Sequence, residues 1–296
     1  MGGRAFRSLN CPRIPPDLYL NTRAKVTLAL KKLFLHVTVP TEMPEKPDFG
    51  DIDFLVSGFV PKPPASPLDW PAMVSATKEA LNTPHGRRGF LNPSVMHFAV
   101  TSGEGGDNGD QIWIQIDLKV CDRPGQQEFE WSRFLLNYAS GFKILASLMK
   151  PLGFTINPDG IYIRVEEMED TNSPGSMVLV SKEPKDVLAI LGLDWRFLWG
   201  GCTSKEELYK YFASAWCFHP KHFHDRQEDE KYVEYHNDRS AAWLDFIFKW
   251  LPEAYPNNSI SDNDVPLEKW YEETRNVIRL KTFTLFPHIT AEYYGK

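Results

Sequence analysis

The chain has 296 residues, 42% of them hydrophobic and 13% aromatic, with nine Trp. That is enough apolar material for one large core or two unequal ones, and it excludes a disordered chain. A formal charge of −6 excludes a general electrostatic pull toward nucleic acid or anionic membrane, so any polyanion site has to be a local basic patch.

The N-terminal stretch MGGRAFRSLNCPRIPP lacks the apolar block of a secretory signal, and Phe6 stands where a myristoylation signal wants Ser or Thr. It reads as an arm that orders on contact. No window approaches the ~20 apolar residues of a membrane span, so no membrane partner is expected. Cys11, Cys121, Cys202 and Cys217 form no CxxC pair and read as reduced thiols, which points to an intracellular protein, cytoplasmic or nuclear. The sequon Asn257-Asn258-Ser259 carries no weight without a secretory signal.

From Leu18 to about Leu35 the apolar spacing suits a helix. LFLHVTVP (33–40) is β-branched and ends on proline, as a strand does. TEMPEKPDFG links it to a second strand, DIDFLVSGFV. PKPPASP (61–67) is a stiff loop. Asp69 caps a helix over DWPAMVSATKEALN, with Pro71 in its first turn. HGRRG (85–89) reads as a basic loop, SVMHFAV (94–100) as a strand and TSGEGGDNGD as a hairpin connection. QIWIQIDLKV then alternates cleanly. Ile112, Ile114, Ile116, Leu118 and Val120 take one face, and Trp113, Gln115, Asp117 and Lys119 the other.

One amphipathic helix is expected over about 129–150, stopped by Pro151. GFTINPDGIYIRVEE and SMVLVS read as a final strand pair. From Glu183 onward PKDVLAILGL, SKEELYKYFASAWCF, AAWLDFIFKWL and PLEKWYEETRNVIRL all suit helices. CFHPKHFHDR gathers Cys217, His219, His222 and His224, whose spacing fits no closed zinc site and reads as a loop of partly buried histidines. Arg226 to Lys231 opens a helix with acids in its first turn. The expected fold class is α+β, with an α/β portion over 1–182 and a helical portion over 183–296.

Asp51 and Asp53 lie about 7 Å apart on one face of their strand, because side chains alternate. Asp117 sits on the polar face of a later strand. Were those strands neighbours, three carboxylates would converge and need a cation to offset their repulsion. Hard oxygen donors favour Mg²⁺ or Mn²⁺. Should the three diverge, no shared metal site survives, and an interaction module with chance acids remains. Arg87 and Arg88 are candidate phosphate ligands.

GDIDFLV followed by IQIDLKV resembles the nucleotidyltransferase superfamily typified by DNA polymerase beta. The resemblance spans about residues 18–165 and implies a short mixed sheet with packed helices. It also implies that Asp51, Asp53 and Asp117 hold two divalent ions, and that an NTP gives its nucleoside monophosphate to a hydroxyl acceptor. The acceptor would be a small molecule, a nucleotide or an RNA end. By the same resemblance Lys143 and Ser140 would contact the triphosphate. The stretch ASGFKILASLMKPLGFTINPDGIYIRV is also similar to a fungal group with this fold.

Members of the superfamily carry Gly-Gly or Gly-Ser about ten residues before the first aspartate, where a helix begins and backbone amides cradle the triphosphate. Here that stretch is HVTVPTEMP, without glycine, and only the hydroxyls of Thr38 and Thr41 remain to meet a phosphate. This departure implies an alternative: a protein of this fold without turnover, acting as a nucleotide-binding scaffold or holding a protein partner through its helical portion.

Overall fold

In the computed structural model, residues 3–61, 68–105, 111–121, 123, 125–228, 241–256 and 266–296 are described. Residues 62–67 of the PKPPASP loop, 106–110 of the hairpin connection, 229–231 of the charged run and the sequon lie outside them. The chain is α+β and divides into two compact units. Unit 1 comprises Met1–Pro40 and Lys46–Arg133, and unit 2 comprises Thr41–Glu45 and Phe134–Lys296.

Unit 1 is built on a five-stranded mixed sheet. In chain order its elements are α1 (Pro16–Leu30), β1 (Phe34–Thr38), β2 (Ile52–Phe59), α2 (Trp70–Ala80), β3 (His85–Arg88), β4 (Val95–Gly105) and β5 (Gln111–Val120). The strand order is β1-β2-β5-β4-β3; β2 and β5 pair in parallel, and the other neighbours pair antiparallel. Period-two alternation sends Ile52, Phe54 and Val56 of β2 and Ile114, Ile116 and Leu118 of β5 to one face, where they meet Tyr19, Val26 and Leu30 of α1 and Met73 of α2. Full burial of such side chains supplies roughly 1.5–3 kcal/mol each. Asp69 caps α2 as expected, its side chain accepting from the Ala72 N–H at 3.1 Å.

Three expectations in this unit need correction. HGRRG is not a loop: residues 85–88 form β3, paired antiparallel with β4. Its glycine and charges are compatible with an edge strand because only one side has to be paired. Likewise β4 runs on through Gly105, where a turn was expected. The helix read over 18–35 spans only Pro16–Leu30.

Beyond Thr41–Glu45, unit 2 runs from within α3 (Gln126–Ser140) through α4 (Phe142–Met149). The single helix read over 129–150 is broken, since Asn137, Tyr138 and Ala139 leave helical geometry. The expected strand pair is a three-stranded sheet of β6 (Phe154–Asn157), β7 (Gly160–Arg164) and β8 (Met177–Ser181), with the short α5 (Ser173–Ser176) before β8. Helices follow: α6 (Pro184–Leu191), α7 (Trp195–Gly200), α8 (Lys205–Ala213), α9 (Pro220–Glu228), α10 (Ala241–Asp245), a π turn over Phe246–Trp250, α11 (Leu251–Ala254), α12 (Leu267–Leu285) and α13 (Thr290–Gly295).

The histidine run is helical in part: His222 and His224 lie in α9, while Cys217 and His219 precede it. His222 of α9 is buried, its ring bonded to the Tyr271 hydroxyl and the Ser147 carbonyl, and His224 meets the Tyr255 carbonyl. All four cysteines are free. Among the described residues no helix is long and apolar enough to cross a membrane.

Candidate active site on the polar face of the sheet

The helix-covered face of the unit 1 sheet leaves the opposite face for polar side chains. Cross-strand partners share a face, so register alone determines what meets there. Asp53 of β2 pairs with Asp117 of β5, Asp117 pairs with His97 of β4, and His97 pairs with Arg87 of β3. Four neighbouring strands thus carry one polar row: Asp53, Asp117, His97, Arg87. Parallel neighbours lie about 4.8 Å apart, so the second and third sequence-chosen aspartates are adjacent. Asp51 stands two residues before Asp53, just ahead of β2.

Within the row, Oδ1 of Asp117 is bonded to Nδ1 of His97 at 2.8 Å and accepts from Nε2 of Gln115 at 2.9 Å. Gln115 is 3% exposed, and its Oε1 accepts from the Ala5 N–H at 2.8 Å. One oxygen of Asp117 is therefore fixed by two partners, while Oδ2 has no hydrogen-bond partner among the described residues. A cavity of about 740 Å³ opens beside the row, lined by Asp51, His97, Gln115, Arg87 and part of the N-terminal arm. It falls within the usual 300–1,000 Å³ range of small-molecule sites.

The other sequence-chosen residues are placed as follows. Thr38 is opposite Leu55, on the same face as Asp53. Arg88 pairs with Met96, on the opposite face from Arg87. Its guanidinium lies 3.9 Å from the centroid of the Trp70 ring and donates to the Pro93 carbonyl. The two arginines therefore cannot act as one bidentate pair. Lys143 is exposed on α4 of unit 2, whereas the three aspartates belong to unit 1. Ser140 ends α3, and its side chain lies outside the described residues. Residues 39–50, which precede Asp51, contain no helix.

His97 and Gln115 were not among the sequence candidates. Gln115 had a readable signal, two residues before Asp117 on the same face. His97 had one as well, a lone imidazole in the middle of an apolar strand. The arm's contribution had none.

Oxygen donors in this register suit a hard divalent ion. The side chains as placed do not assemble the site. Among the described residues, no group of three or more His, Cys, Asp or Glu is arranged to hold a metal ion.

No family model matches the sequence, and no curated protein matches it. Among solved structures, the chain is similar to Leishmania infantum polymerase beta in its ternary gap complex, at 12% identity and a TM-score of 0.42, over 62% of this chain and 69% of that one. The ternary P/T complex of the same polymerase gives 13% identity and a TM-score of 0.43, over 62% and 74%. What the site can do rests on its own side chains.

Proposed function

We propose that the chain is a divalent-cation-dependent nucleotidyltransferase, moving a nucleoside monophosphate from an NTP to a hydroxyl acceptor that is a small molecule, a nucleotide or an RNA end. The observation that supports this most is the in-register row from Asp53 through Asp117 and His97 to Arg87. It sets carboxylates at one end and a guanidinium at the other, beside a cavity of nucleotide size. Mg²⁺ or Mn²⁺, held by Asp51, Asp53 and Asp117, would offset polyphosphate charge and lower the pKa of the acceptor hydroxyl. The chain's own part is to orient and to take a proton. Arg87 would steady phosphate oxygens, and Oδ2 of Asp117 would accept the acceptor's proton while His97 and Gln115 hold Oδ1.

Two observations favour a second reading, a scaffold that binds nucleotide without turnover. The stretch about ten residues before Asp51, HVTVPTEMP (36–44), offers no glycine and no helix begins there, and the acids do not form an assembled three-ligand set.

Thermal unfolding with each NTP, with and without Mg²⁺ or Mn²⁺, tests both readings on wild type and on Asp51→Ala/Asp53→Ala. A ligand at ~100 times its Kd that binds only the folded state adds about 2.7 kcal/mol. A metal-dependent shift lost in the double variant, together with labelled monophosphate appearing on an acceptor, supports transfer. The same shift with no product across acceptor classes supports the scaffold. No shift with any nucleotide sinks both.

A further inference from the structure

The loss of the glycine cradle leaves open what in this chain meets the triphosphate. The cavity beside Asp51 is lined by four cations, Arg4, Arg13, Lys46 and Arg87, and its lining includes one carboxylate, Asp51. In a chain of formal charge −6, that concentration runs against composition. Like charges gathered at one cavity repel one another, and an anionic ligand would relieve that repulsion.

Three of the four have placed partners, and one of these, the exposed Arg13, is paired with Asp48, which offsets its charge. Arg13 donates from Nε and Nη2 to Oδ1 of Asp48, at 3.0 and 2.5 Å. Lys46 lies 5.2 Å from the centroid of the Phe49 ring. Arg87 donates from Nη2 to the Ala5 carbonyl at 2.6 Å, stands 5.8 Å from the Phe6 ring centroid, and has no acidic partner among the described residues. A guanidinium has five N–H donors in a fork that matches phosphate oxygens. One bond to the arm therefore leaves Arg87 most of its capacity.

The N-terminal arm is a built wall of this cavity. Ala5 is tied to Gln115 and Arg87, as above, and the Trp113 N–H donates to the Asn10 carbonyl at 2.9 Å. Gly3 packs so closely that a Cβ there would fall 2.4 Å from Cβ of Gln115. At the rim Phe90, 90% exposed, offers an aromatic face on which a base can stack.

We propose that this cavity is the polyphosphate subsite of the nucleotide. Arg87, Lys46, Arg4 and Arg13 bind the phosphates through side chains, in place of backbone amides at a helix start. Phe90 takes the base, and the N-terminal arm is an integral part of the site. This rests on the nucleotide reading above but needs neither the metal nor turnover.

Calorimetric titration of inorganic tripolyphosphate without divalent cation tests it, on wild type, Arg87→Glu, Lys46→Glu and Asp51→Asn/Asp53→Asn. Circular dichroism confirms that each variant is folded, and Arg87→Gln serves where the reversal is not. Wild type is expected to bind, each charge reversal to weaken binding at least tenfold, and the carboxylate variant to bind as well as wild type or better. ATP is expected to bind more tightly than tripolyphosphate, with Phe90→Ala erasing the difference.

No binding by wild type, or binding indifferent to Arg87 and Lys46, overturns the proposal. So does a single-stranded oligonucleotide that displaces tripolyphosphate more effectively than ATP does, since the cations would then follow a nucleic-acid backbone. The two proposals fail separately. Tripolyphosphate binding as expected without any metal-dependent nucleotide effect retains this subsite and rejects transfer. A metal-dependent shift untouched by the cation variants does the reverse.

Discussion

At the scale of single residues, two positions give clean tests because their causes are local. Ala139 is exposed and sits at φ 52° and ψ 43°, a left-handed conformation that costs an L residue roughly 1–2 kcal/mol. Glycine has no such cost and gives back part of the gain through its freer unfolded chain. Ala139→Gly is therefore expected to stabilise by about 0.5–1 kcal/mol, read as a higher denaturant midpoint at unchanged slope. A lower midpoint would show that the Cβ makes a contact that matters more. The neighbouring Tyr138 is also left-handed but 1% exposed, so the same change there would cost its packing. The second position is Asp48, whose carboxyl is held below the usual carboxylate range by the hydrogen bond from Arg13. A depressed folded-state pKa contributes stability that is present above the unfolded value and lost as pH falls through the folded one. Asp48→Asn should accordingly flatten the decline of Tm below about pH 4. An acid limb identical to wild type would mean the pair contributes nothing to folding.

At the scale of elements, the residues that were legible are those whose signal is local and periodic. The alternation of QIWIQIDLKV carried Asp117 to the polar face, and D-W-P marked the start of α2 from the cap outward. What was not legible depended on partners far along the chain. The apolar spacing runs unbroken through Phe129, Phe134, Phe142 and Leu145, so periodicity gives no sign of the break between α3 and α4. The break coincides with contacts from a distant segment. The Thr41 N–H donates to Oδ1 of Asn137 at 2.9 Å, and the Tyr138 N–H donates to the Thr41 carbonyl at 2.6 Å. Similarly, β3 is a strand because β4 pairs with it, whatever its own composition prefers. The register of β2 on β5 was equally out of reach from one sequence, and it makes Asp53 and Asp117 direct neighbours. Like charges opposite each other across a strand pair destabilise by roughly 0.2–1 kcal/mol. Asp53→Asn is thus expected to raise the Tm of the metal-free protein and to lose any stabilisation by Mn²⁺ that wild type shows. A lower metal-free Tm would reveal Asp53 as a structural carboxylate and count against the site.

At the scale of the whole molecule, the formal charge is a poor guide to partners because it is unevenly distributed. Unit 1 holds 15 Lys and Arg against 13 Asp and Glu, and unit 2 holds 18 against 26. The −6 is therefore +2 in the unit that carries the candidate site and −8 in the other. Within unit 1 the cavity lining concentrates the positive charge further. These two scales make opposite predictions about salt. If the net charge governed the approach of a polyanion, screening would relieve repulsion and affinity for tripolyphosphate would rise with NaCl. If the cations of the cavity govern it, screening weakens attraction and affinity falls. The screening length shortens from above 10 Å to a few ångströms between about 0.05 and 0.5 M salt, so the range spans both regimes. We expect a monotonic fall in affinity across it, and a shallower fall in Lys46→Gln, which removes one attracting charge and leaves the rest of the molecule unchanged. A rise with salt would assign the anion's behaviour to the acidic molecule as a whole and remove the electrostatic argument for the subsite.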